Sequence, residues 1–114
     1  MKRSIDLFIS DILENVVLIE ESTSKIKKEG LSSDRDLRDA TVRRLEIIGE
    51  AVKNIPDSFR KLYPNVSWRK IAGFRDIVIH AYFRIDTDII WNVIKEDIPD
   101  LKRKILKIKQ DLEK

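Results

Sequence analysis

Apolar residues return every three or four positions along most of the chain, and that rhythm predicts helices. Ile5, Ile9, Ile12, Val16, Ile19 and Ile26 alternate spacings of four and three, with Thr23 in the one polar slot. This is an a/d-like seam on a helix over roughly residues 3–28. Phe8, Leu13 and Val17 widen its apolar face, and Gly30 is the expected C-terminal stop. Ser32-Ser33 reads as the cap of a second helix, with Asp34 and Asp36 in its first turn. Its stripe is Leu37, Thr41, Leu45, Ile48, Val52 and Ile55, and Pro56 ends it. Gly49 lies mid-helix, where glycine costs about 1 kcal/mol relative to alanine, so a close helix–helix approach is expected there.

A connector over 56–66 holds one short helical turn at Asp57–Leu62. Ser67 caps a third helix running from Trp68 to about Tyr82, with Gly73 inside it. A fourth starts at Asp86 or Asp88 and runs to about Leu112. Its stripe is Ile90, Ile94, Ile98, Leu101, Ile105, Ile108 and Leu112. Pro99 should kink or split it, because a mid-helix proline loses a hydrogen bond and clashes with the preceding turn. Long helices and short loops predict an all-α, up-down four-helix bundle with a short extra helical turn between helices 2 and 3. Its length makes residues 1–114 a single domain.

Composition narrows the chemistry. There is no cysteine and one histidine, so neither a disulfide framework nor a metal site within one chain is expected. Three Gly and three Pro leave too few turn signals for an all-β fold. Asp6, Asp11 and Glu14 interrupt the apolar N-terminal pattern, so no signal peptide or membrane span fits, and the expected location is cytoplasmic. Net charge is only +3, but it is unevenly spread. From Ser58 to Arg75 there are Arg60, Lys61, Arg69, Lys70 and Arg75 and no acid. Phe59, Tyr63, Trp68 and Phe74 interleave with them, a pattern that can bind single-stranded RNA by stacking and phosphate contact. The blander alternative, a solvated face over core aromatics, fits Trp68 and Phe74 better. The tail lysines from Lys102 onward read as the wet face of the last helix.

The single histidine, His80, stands between Arg75 and Tyr82 in an apolar run. An imidazole titrates near neutral pH and a guanidinium grips phosphate, a combination suited to phosphodiester chemistry. Arg75 and His80 are five apart, roughly 140° around a regular helix, so one chain makes an incomplete site. A two-fold dimer would bring two arginines and two histidines into one cleft. There, a base could take the 2′-OH proton of RNA, an acid could protonate the leaving 5′ oxygen, and Arg75 could neutralise the phosphorane. Asp76, four before His80, could orient the imidazole or pair with Arg75. Against this stands the ordinary alternative of a core-edge histidine and a packing tyrosine.

The run from Val66 to Phe83 resembles the HepT-like group of the HEPN superfamily, whose signature is Arg, four residues, His, any residue, Tyr. Arg75, His80 and Tyr82 fill its three fixed positions. The stretch from Arg43 to Ala51, followed by Asn54-Ile55-Pro56, is similar to a second stretch of that group, and Asp86 and Trp91 are similar too. The resemblance covers nearly the whole chain. It implies a homodimeric helical bundle and a metal-independent endoribonuclease that needs no cofactor. It also implies a toxin of a type VII-like toxin–antitoxin pair, with tRNA among the candidate substrates. The implied partner is a minimal nucleotidyltransferase that transfers AMP to Tyr82, adding bulk and negative charge where RNA phosphate must sit. By motif position Arg75 and His80 become the catalytic pair, with Asp76 supporting and Arg60, Lys61, Arg69 and Lys70 as RNA-binding candidates. Asp76 stands where the group often has Asn, which leaves a non-catalytic binding subunit of a nucleotidyltransferase complex as the alternative.

Overall fold

A computed structural model describes residues 2–74, 76 and 86–114, with side chains from Ile5 onward. Among the described residues there is helix and no strand. The elements are α1 (Lys2–Thr23), α2 (Lys28–Ser33), α3 (Arg35–Lys53), α4 (Asp57–Arg60), α5 (Trp68–Ala72) and α6 (Thr87–Asn92). A π-helical turn at Val93–Asp97 then leads into α7 (Ile98–Leu112). No described helix is long and apolar enough to cross a membrane.

The predicted stripes are the core. Ile9, Ile12, Val16 and Ile19 of α1 are buried against Leu45, Ile48 and Val52 of α3 and Ile98, Ile105 and Ile108 of α7. Polar pairs set the direction of packing. Lys109 of α7 reaches Asp6 Oδ1 at 3.1 Å and Ser10 Oγ at 2.6 Å near the start of α1, while Lys102 pairs with Glu20 at 2.8 Å near its end. The two helices therefore run antiparallel, as an up-down arrangement requires. Gly49 is buried within α3. Of the third expected helix, Trp68 to Tyr82, only α5, Gly73, Phe74 and Asp76 are described.

Several boundaries differ from expectation. α1 stops at Thr23, not near residue 28. Ser22 and Thr23 turn their hydroxyls onto the carbonyls of Leu18 and Ile19, at 2.8 and 2.6 Å, where side-chain bonding competes with the helical ladder. Gly30 is not a stop but lies inside α2, where a Cβ would sit 3.2 Å from Ile26 Cβ. α2 exists to bury Leu31, which is fully shielded. Ser33 closes α2, and the cap of α3 is Asp34, whose carboxylate accepts the Leu37 N–H at 3.0 Å. α3 ends at Lys53 and the connector helix at Arg60, each a little short of expectation. Ser67 holds the cap position of α5 without a side-chain bond.

Pro99 acts one turn upstream of itself. Its missing N–H and its ring would disrupt the turn closed on Lys95. The chain instead widens into the π turn, in which Ile98 N–H bonds Val93 O, and continues without a sharp break in dihedrals. Ile90, Ile94 and Ile98 recur every four residues, slower than the α period, and the wider turn keeps all three buried.

Candidate active site

The described part of the site begins with Trp68. Its indole N–H donates to Arg60 O at 3.2 Å and Tyr63 O at 3.0 Å, folding the connector back onto α5. Ile71 and Phe74 are buried, so α5 enters the core by its inner face. The expected continuous helix is interrupted at Gly73, which terminates α5 with helical dihedrals. Asp76 N–H then bonds Gly73 O at 2.9 Å, a tighter three-residue closure. Asp76 itself is exposed. Arg75, His80 and Tyr82 lie outside the described residues. On the far side Asp86 caps α6, its Oδ1 accepting the N–H groups of Asp88 and Ile89 at 3.1 and 3.3 Å. Phe74 and Asp86 are thus the anchored residues that bracket the motif.

The four basic candidates separate into two kinds. Arg60 donates from Nε to Ile55 O at 3.0 Å and from Nη2 to Val52 O at 2.7 Å, closing carbonyls at the end of α3. Lys70 Nζ sits 2.9 Å from Asp97 Oδ1 across the space between α5 and the π turn. Its ammonium is held above the usual lysine range, chiefly by that hydrogen bond. Lys61 and Arg69 are exposed and make no ion pair within the described residues. The aromatics are structural: Trp68 and Phe74 are buried, and Phe59 and Tyr63 pack partly against the core with ring centroids 5.3 Å apart.

Beside Phe74 opens a groove of about 380 Å³. Val66, Ile71 and Leu101 contribute to an apolar floor, and Lys70, Asp97 and Asp100 to its walls. Lys104 and Arg103 both pair with Asp100, at 2.8 and 2.9 Å. The bond from Lys104 is the main cause holding the Asp100 carboxyl below the usual carboxylate range. The three cations of this groove are matched by Glu96, Asp97 and Asp100. Its walls therefore offer phosphate no excess positive charge. Sequence reasoning missed the acidic side of this groove. The signal was present in Pro99 and in the four-residue spacing that precedes it.

Residues 12–108 match the family model described as Ribonuclease HepT-like. The chain is 47% identical over 110 residues to "Probable ribonuclease HepT" of Thermococcus cleftensis, covering 96% of this chain and 100% of that one. It is 43% identical over its full length to a Methanocaldococcus jannaschii protein named "Gamma-glutamylcyclotransferase and putative RNase", of which it spans about half, 51%. A "Putative RNase" of Caldanaerobacter subterraneus is 42% identical over 103 residues, 90% of this chain and 92% of that one. No solved structure matches the chain.

Proposed function

Because the chain belongs to the HepT-like ribonuclease family of the HEPN superfamily, we propose that it is a metal-independent endoribonuclease whose site is completed by a second copy of the chain. The observation that carries this reading is the Arg75, His80, Tyr82 signature inside a chain whose similarity to ribonuclease-named relatives runs nearly end to end. His80 serves as base and acid. One imidazole takes the 2′-OH proton, the alkoxide attacks the adjacent phosphorus, and the partner's imidazolium protonates the departing 5′ oxygen. The products are a 2′,3′-cyclic phosphate and a 5′-hydroxyl end. Arg75 holds the charge of the phosphorane. Asp76, exposed at the start of the motif, is the residue we assign to orient His80.

The same reading makes the protein a toxin neutralised by a minimal nucleotidyltransferase. The Tyr82 oxygen attacks the α-phosphorus of ATP, pyrophosphate leaves, and the AMP ester blocks the phosphate path. The test is incubation of total RNA and tRNA with the protein in EDTA. Wild type should cleave and leave cyclic phosphate ends, and His80→Ala should not; equal cleavage by both ends the enzyme reading. Intact mass after incubation with the transferase and ATP should show AMP on wild type and none on Tyr82→Phe.

A second reading is a non-catalytic partner of that transferase, favoured by the exposed Asp76, which sets a negative charge where RNA phosphate would approach. It predicts tight transferase binding with no RNA loss, and Asp76→Asn would leave RNA cleavage absent.

A further inference from the structure

A polar bridge joins the π turn and α5, from Lys70 to Asp97 at 2.9 Å. α5 is only five residues long, and its hold on the body is lopsided. Trp68 and Ile71 fix its inner face, while on the groove side Lys70 makes its ion pair to the π turn. Asp97 is the less exposed partner, 23% against 63% for Lys70, so the carboxylate is the fixed end and the lysine the arm that reaches it. Asp97 is also the last residue of the π turn that Pro99 imposes. Such turns re-aim side chains by inserting a residue into the ladder, and they concentrate at functional sites. Gly73 closes α5 and Phe74 follows it directly, buried, so α5 leads straight into the described start of the motif segment.

We infer that Asp97 is a positioning residue for the proposed ribonuclease site: through Lys70 it holds α5, and with it the start of the motif segment, against the π turn. The inference rests on the proposed function for its catalytic readout only. Lys70 then acts as a strut and not as a phosphate ligand, which accounts for its pairing beside a groove without excess positive charge.

The experiment compares wild type, Asp97→Asn, Lys70→Asp and the charge-swapped double variant Lys70→Asp with Asp97→Lys. RNA cleavage is followed with kcat and KM separated, and backbone amide exchange is followed on the same proteins. Asp97→Asn should lower kcat about tenfold with KM unchanged, since a small displacement of a reacting group is costly to the chemical step. Amides after Gly73 should exchange about fivefold faster, the scale of one partly exposed ion pair, with α1 and α3 unaffected. The double variant should recover most of both losses. A rise in KM at constant kcat would overturn the inference, because it makes the pair an RNA contact. A double variant no better than the singles would overturn it as well. If wild type cleaves no more RNA than His80→Ala, the proposed function falls and exchange alone decides: faster exchange confined to the residues after Gly73 upholds the strut, and unchanged exchange removes it.

Discussion

The two basic stretches of this chain have opposite fates. Along α7 every cation with a described side-chain partner is held by an acid: Lys102 by Glu20, Arg103 and Lys104 by Asp100, Lys107 by Asp111, Lys109 by Asp6. Between Ser58 and Arg75 there is no acid in the sequence. There Arg60 and Lys70 find partners elsewhere in the fold, while Lys61 and Arg69 remain open to solvent. Among the described residues, the cations of α7 are thus neutralised, while the acid-free stretch keeps Lys61 and Arg69 exposed and outside any ion pair. If RNA binds here as proposed, it should follow these exposed cations more than the number of cations in the sequence.

The sharpest break between the regions is chemical. Removing the imidazole by His80→Ala should lower RNA cleavage by about 10²–10⁴-fold, the usual worth of a general acid–base group. Replacing any cation of α7 should leave cleavage unchanged. A His80→Ala protein as active as wild type would erase the distinction.

Next in size is Arg60→Ala. Two charged donors leave the carbonyls of Val52 and Ile55, so the fold should lose about 2 kcal/mol. Denaturant unfolding should show the loss while RNA affinity stays constant. A fall in affinity without loss of stability would return Arg60 to the RNA-binding set.

Smaller effects are expected at the open cations. Lys61→Ala and Arg69→Ala should each weaken RNA binding across sequences and reduce its salt slope by about 1, with no change in melting temperature. Lys107→Ala is the matched control on α7. Equal losses from all three would mean that pairing does not decide binding.

The smallest effect is the acid response of the paired region. A hydrogen bond from Tyr63, at 2.9 Å, and then contacts from Lys107 hold the Asp111 carboxyl below its usual range. A lowered carboxylate contributes stability above its unfolded pKa and loses it as pH falls through the folded value. Tyr63→Phe should therefore flatten the stability loss just below the ordinary carboxylate range and change little at neutral pH. An acid limb that is identical in both proteins would show that this bond carries no weight.

The apolar stripes were legible because burial is periodic. Every residue of the α7 stripe from Ile98 to Ile108 is buried, as its spacing required. Boundaries were less legible, because local hydroxyls and carboxylates compete at helix ends. Thr23 ends α1 and Asp34 starts α3, while Gly30 and the two serines, stronger signals on paper, do neither. Phe74 and Trp68 were readable as core, but the indole's two carbonyl partners were not, since they lie on a loop without periodicity.

By itself, the sequence determined the helical class, the core-facing positions and the family signature. Each of these rests on spacing along one dimension. Only the tertiary structure decided which charges cancel. Coulomb energy and hydrogen bonding depend on distance in space, so Lys109 finds Asp6 across almost the whole chain and Lys70 finds Asp97 across a groove. It also decided that Pro99 yields a π turn and not a kink, because the buried isoleucines on either side of it must stay in one core.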